Sequence, residues 1–308
     1  MSLPLATRPV VQIFVYSLLI KLLIGALMPL SPDEAYYWFW SHHPQLSYYD
    51  HPPFVSWIFA LGQPFEKFLS LARLPAILIG QITFGLWLQI LKDKFTTKQL
   101  VYFSLLYLLF PLTGPGSLIV TPDLPLLFFW TLSFLIFTRW LQEQSLRLTV
   151  ALGLSLGLGF LSKYNMVLFF IFALVAVFTE KISYKKWLPQ IPVLLVFFIL
   201  ASLPVWLWNL QNNFLSFAFQ IDHGTGAKVW DPEWTLTYIL GQMLLLTPFG
   251  VWALCRGSIR KEFRVYWIFA LGPLLFFLIT SFKGRVEANW PLVAFPFLLC
   301  LWVEGSKQ

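Results

Sequence analysis

The chain has 308 residues, of which 58% are hydrophobic and only 11% charged, and its mean hydropathy is +0.72. A soluble domain is nearer half apolar and a quarter charged, which excludes a water-soluble globular protein. The net charge of +7 invites a nucleic-acid reading, but the basic residues sit in short loops between apolar runs, as the positive-inside rule requires.

In chain order, runs near the length a bilayer demands predict about ten spanning helices. They fall at 10–30, 71–91, 99–113, 122–139, 149–162, 165–179, 188–208, 236–255, 265–281 and 289–303. The runs are rich in Leu and Phe and do not alternate, so barrel strands are excluded. The expected fold is an all-α polytopic membrane protein, one transmembrane domain over 1–308 with no separate soluble domain. The first run is long enough to span and lacks a small-residue cleavage site, so it is expected to stay. Cys255 and Cys300 lie in or at the ends of apolar runs and predict neither a disulfide nor a metal site.

Placing the N-terminus inside puts most of the basic residues, among them Lys92, Lys94, Arg139 and Lys261, in the inner loops. Both termini are then cytoplasmic. Most acids, including Asp33, Asp50 and Asp123, fall on the outer side. The first outer loop, 31–70, contains a stretch near 54–68 that reads as an interfacial helix. The inner loops carry no GxxxxGK[ST] and no GxGxxG, so no nucleotide is expected.

Asp33 and Glu34 follow the first run directly. A carboxylate at a membrane surface can take a proton from an acceptor hydroxyl or amine. Ser31-Pro32-Asp33-Glu34 is also a good helix start. Asp50-His51-Pro52-Pro53 is either a proline-stiffened turn or a rigid presentation of two groups that suit a divalent cation. Asp222 and His223, in the second long outer loop, could complete such a site. His42 and His43 read as surface residues of a wet loop. Asp123 opens a span between two prolines, where an acid is costly. Lys163, at a tight outer turn, is either a snorkelling lysine or a cation kept to neutralise a phosphate. Lys283 and Arg285 precede a Trp-Pro helix start and could grip a lipid phosphate. Arg73 is a further outer cation that suits a capping salt bridge.

Five segments taken together resemble the bacterial GT-C membrane glycosyltransferases, which include protein O-mannosyltransferases and the lipid A aminoarabinose and galacturonosyl transferases. They are Asp33-Glu34, Tyr49-Asp50-His51-Pro52-Pro53, Thr121-Pro122-Asp123-Leu124-Pro125-Leu126, Leu161-Ser162-Lys163-Tyr164 and Arg285-Val286-Glu287-Ala288-Asn289-Trp290-Pro291. The resemblance implies a GT-C-like helical fold in the bacterial inner membrane with its active site at the periplasmic face. It implies a polyprenyl-phosphate sugar as donor, inversion at the anomeric carbon, and a lipid, glycan or protein acceptor. Asp33 would be the general base, with Glu34 and Asp123 as further acids of the site. Lys163 and Arg285 would hold the donor phosphate, with Tyr164, Asn289, Tyr49 and His51 as further substrate contacts. Asp50, with His223 as a looser match, would take part in binding a divalent cation.

Longer members of that family carry further helices and a soluble domain after this point. The chain is therefore expected to be either a minimal catalytic core or a piece that needs a partner. Two other readings remain open at this stage: a transporter or flippase of lipid-linked sugars, and a non-catalytic relative that only binds the carrier. A transporter predicts ionisable residues at helix midpoints, whereas only Lys21 lies clearly inside a span.

Overall fold

The first span, α1 (Arg8–Leu27), has one inward stripe, Val10, Ser17, Lys21 and Gly25. Its other faces carry exposed Leu19, Leu23 and Leu27. In a soluble protein those faces would be polar; here they face lipid, where apolar side chains belong. The structure, a computed structural model, describes residues 8–67, 71–225, 229–256 and 260–306, without the side chains of 223–225 and 256. No strand occurs among the described residues.

Two short helices follow α1. Ser31 and Glu34 close a reciprocal capping box at the start of α2 (Pro32–His42), satisfying two backbone donors that a helix start otherwise leaves unpaired. Pro52 and Pro53 then turn the chain into α3 (Phe54–Gly62), and the Phe54 N–H donates to the Leu161 carbonyl at 3.0 Å. The interfacial helix expected near 54–68 is therefore shorter, its last turn being the 3-10 segment Gln63–Phe65.

The bundle itself is built by α4 (Leu74–Leu91), α5 (Thr97–Leu109), α6 (Asp123–Glu143), α7 (Leu146–Phe160) and α8 (Leu168–Thr179). After the one-turn α9 (Tyr184–Trp187) come α10 (Ile191–Ala201), α11 (Leu203–Gln211), α12 (Leu215–Thr225), α13 (Pro232–Arg256), α14 (Arg264–Thr280) and α15 (Phe295–Gly305). Every expected span coincides with helix. Among the described residues six segments are long and apolar enough to cross a membrane alone, and Leu146–Phe160, Tyr164–Thr179 and Leu292–Gly305 are among the shorter apolar helices. The centre is α6, whose Trp130, Phe134 and Phe137 are buried. Phe134 packs edge-on against Phe297 at 4.6 Å and Phe269 at 5.1 Å, and Trp87 meets Phe297 at 4.8 Å. The quadrupoles of these rings favour edge-to-face contact.

Two expected spans are interrupted. The run at 188–208 divides into α10 and α11 at Ser202, whose hydroxyl donates back to the Phe198 carbonyl just before Pro204. Inside α13, Thr247 has φ 59° and ψ 157°. Pro248 removes a backbone donor and disfavours the helical region for the residue before it, which breaks the helix there.

Candidate active site

Residues from five parts of the chain meet at one end of the bundle. The corner that organises them is a buried ion pair. Glu34 and Arg73 are both 0% exposed, with Arg73 Nε donating to Glu34 Oε1 at 2.6 Å and Nη2 to Oε2 at 2.7 Å. The guanidinium also donates to the Met28 carbonyl at 2.5 Å and the Pro29 carbonyl at 2.6 Å, at the end of α1. Glu34 accepts in addition from the Ser31 N–H at 2.9 Å and the Val120 N–H at 3.1 Å. Burial pushes the Glu34 carboxyl up, but the Arg73 hydrogen bonds, the two backbone donors and the Arg73 charge together hold it below its usual value.

Both oxygens of Glu34, an expected acid of the site, are thus occupied by donors of its own chain. Arg73 is the salt-bridge partner that its sequence position suggested, although the pair is fully buried. Because Val120 lies three residues before Asp123, the same carboxylate ties the start of α2 to the start of α6.

Asp33 stands on the other side of that helix turn. It is exposed and accepts no hydrogen bond among the described residues. Behind it lies Tyr37, 8% exposed and edge-on to Trp40 at 5.2 Å. Burial raises the Tyr37 phenol, and the charges of Asp50, Asp33 and Asp123 raise it further. Three acids from distant parts of the chain thus converge around one ring.

Asp123 is the first residue of α6. Its Oδ1 accepts from Lys163 Nζ at 2.8 Å and its Oδ2 from Asn289 Nδ2 at 2.9 Å. Lys163 sits in extended backbone between α7 and the turn Tyr164–Val167. Three expected site residues, more than 100 positions apart at the extremes, therefore form one cluster. Its carboxylate orients the ammonium through a charge-assisted hydrogen bond.

The remaining expected residues are placed more loosely. Asp50 is half-buried, which raises its carboxyl, while the Tyr36 hydroxyl donates to Oδ1 at 3.4 Å and lowers it. The Asp50 carbonyl accepts from Gln220 Nε2 at 2.5 Å. The His51 ring lies 6.0 Å from Tyr37, and Tyr49 rests on Phe219 at 4.6 Å. The Tyr164 hydroxyl is 2.7 Å from Ser216 Oγ, which turns it toward α12. Arg285 is not drawn into the Asp123–Lys163 cluster: it is 71% exposed and pairs with Glu287 at 3.2 Å. His42 stacks on Trp38 and His43 on Phe39, as surface residues do. The side chain of His223 lies outside the described residues. Among the described residues no group of three His, Cys, Asp or Glu side chains could hold a metal, so no step is assigned to one. Sequence reasoning missed the Glu34–Arg73 pairing and Tyr37. The capping box was the one local signal that Glu34 was occupied.

Residues 50–208, just over half of the chain, match the family described as dolichyl-phosphate-mannose-protein mannosyltransferase. The chain belongs to this family. A curated relative, the lipid A galacturonosyltransferase RgtD of Rhizobium johnstonii, is 26% identical over 298 residues, covering 89% of this chain and 60% of the relative. The crystal structure of ArnT from Cupriavidus metallidurans bound to undecaprenyl phosphate superposes with a TM-score of 0.74 at 17% identity, over 98% of this chain and 61% of that one. The apo state of the same protein gives 0.72 at 18% identity. The GT-C-type helical fold expected from the five segments is therefore the fold of this chain. The chain spans about 60% of the length of the relatives it matches.

Proposed function

We propose that this chain is the core of a membrane glycosyltransferase that moves one sugar from a polyprenyl-phosphate carrier to an acceptor, with inversion. The observation that carries the reading is the division of labour at one end of the bundle. Asp33 is exposed and accepts no hydrogen bond among the described residues, while Lys163 is held by Asp123, whose other oxygen accepts from Asn289. Family membership supports the reaction class. The undecaprenyl phosphate bound to ArnT supports a carrier of that kind, and the likeness to a lipid A galacturonosyltransferase supports a lipid acceptor.

The acceptor hydroxyl gives its proton to Asp33 as its oxygen attacks the anomeric carbon. The bond from that carbon to the phosphate oxygen breaks on the opposite face, as inversion requires. The leaving polyprenyl phosphate gains negative charge, which Lys163 stabilises more in the transition state than in the ground state. Asp123 and Asn289 keep the ammonium in place so that it need not reorganise. This end of the bundle carries the acids and the opposite end most of the bases, which supports a periplasmic site and a cytoplasmic basic face.

The test is transfer in proteoliposomes, with a pool of polyprenyl-phosphate sugars and a membrane-lipid acceptor. Asp33→Asn should lose turnover by about 10²–10⁴-fold, the usual worth of a positioned general base, and still bind donor. If the variant keeps turnover, Asp33 is not the base. If donor crosses the bilayer without transfer in both proteins, the flippase reading replaces this one.

A further inference from the structure

The end of the bundle opposite the Asp123–Lys163 cluster holds a cavity that the proposed reaction does not use. Arg139 at its wall is sixteen positions along α6 from Asp123, which is about 24 Å of helix. The cavity has a volume of about 650 Å³.

Its charges come from four separate places. Lys92 and Lys94 enter from the turn after α4, Arg139 from the end of α6, and Lys261 from the 3-10 turn before α14. Three acids lie among them: Asp93, Glu180 at the end of α8, and Glu262 beside Lys261. No ion pair within 4.0 Å joins any of these seven to another among the described residues. Lys94 instead lies over the Tyr266 ring at 5.9 Å. The nearby Arg260 pairs with Glu304 at 2.5 Å and stands 4.0 Å from Glu262. Glu180 Oε1 is buried and accepts no hydrogen bond. Opposite charges that share one cavity without pairing are arranged for a ligand carrying both signs. One wall is aliphatic, with Ile90, Leu135 and Val265.

We propose that this cavity is a phospholipid headgroup site, and that its ligand is a phosphate with a primary ammonium, the headgroup of phosphatidylethanolamine. Arg139 and Lys261 take the phosphate in charge-assisted hydrogen bonds. Glu180 accepts from the ammonium. The aliphatic wall meets the start of the acyl chains. Phosphatidylcholine has the same charges but no N–H to donate to Glu180, and phosphatidylglycerol has no cation at all. Among the three acids of the cavity, Glu180 has the buried oxygen with no hydrogen-bond partner, and the site thus distinguishes the three lipids by whether they offer it an N–H.

The experiment uses the full chain in detergent micelles doped in turn with phosphatidylethanolamine, phosphatidylcholine or phosphatidylglycerol. Native mass spectrometry then reads the lipid that stays bound. Phosphatidylethanolamine should be retained about tenfold better than either other lipid, the equivalent of about 1.4 kcal/mol. Arg139→Ala with Lys261→Ala should lose retention of all three. Glu180→Gln, nearly the same shape, should keep phospholipid binding but lose the preference for the ethanolamine headgroup. An unfolding temperature measured on each variant shows that the fold persists. Equal retention of the three lipids in wild type overturns the proposal, as does a preference that survives Glu180→Gln. Displacement of the lipid by millimolar inorganic phosphate also overturns it, and would mark a site for free phosphate.

Discussion

Asp33 and Glu34 are adjacent in sequence and face opposite ways. On a helix, neighbours lie about 100° apart, so when Glu34 turns inward to Arg73, Asp33 must turn outward. A buried pair of this kind is a demanding feature, because removing one charge strands the other. Glu34→Gln should therefore destabilise the chain by about 3–5 kcal/mol at neutral pH. Since folding lowers the Glu34 carboxyl, its contribution is complete above the unfolded value of about 4.3 and is lost as pH falls through the lower folded value. Thermal unfolding in detergent should show the gap between wild type and Glu34→Gln closing from pH 6 toward pH 3. A gap that stays constant would mean that the carboxylate charge is not its source. The capping box that Glu34 completes was legible in Ser31-Pro32-Asp33-Glu34. The arginine that claims the carboxylate is 39 positions away, and no local pattern points to it.

At the scale of elements, α7 and α10 show how the bundle closes. Lipid offers no hydrophobic drive for helices to associate, so close packing of small residues does that work. Gly153 and Gly157 are spaced one turn apart on α7. A Cβ on Gly157 would stand 2.5 Å from the Phe198 carbonyl oxygen, and one on Gly153 2.6 Å from the Leu194 oxygen. Backbone atoms cannot give way as side-chain tips can. Gly157→Leu should separate the two helices and lower stability by at least about 1–3 kcal/mol, the usual cost of overpacking. A denaturant midpoint measured beside Gly241→Ala checks this, because a Cβ on Gly241 meets only Ala288 at 3.7 Å. If the two variants behave alike, the close approach of α7 to α10 is not needed. The spans themselves were legible from apolar length. The breaks at Ser202 and Thr247 were not, although Pro204 and Pro248 stood in the sequence, because a membrane helix often absorbs a proline when neighbours satisfy the freed groups.

For the whole molecule, the charge asymmetry predicts orientation. Arg285 lies at the acidic end and is 71% exposed, and Lys92 lies at the basic end. Variants Arg285→Cys and Lys92→Cys, made after replacing both exposed Cys255 and buried Cys300, should differ in reaction with a membrane-impermeant maleimide. The first should react in intact cells and the second only after permeabilisation. The reverse pattern would place the Asp33 end in the cytoplasm and remove the periplasmic reading.

Hydropathy and loop charge alone determined a polytopic helical protein, its spans and an acidic face, because the bilayer imposes length and apolarity on each segment separately. Five short segments were enough to suggest the family. Only the tertiary structure decided which of the acids and cations meet. It seated Asp123 between Lys163 and Asn289, buried Glu34 on Arg73, and left Arg285 with Glu287 at the surface. Those outcomes depend on helix rotation and on contacts between residues up to 166 positions apart. Segment-by-segment hydropathy carries no information about either.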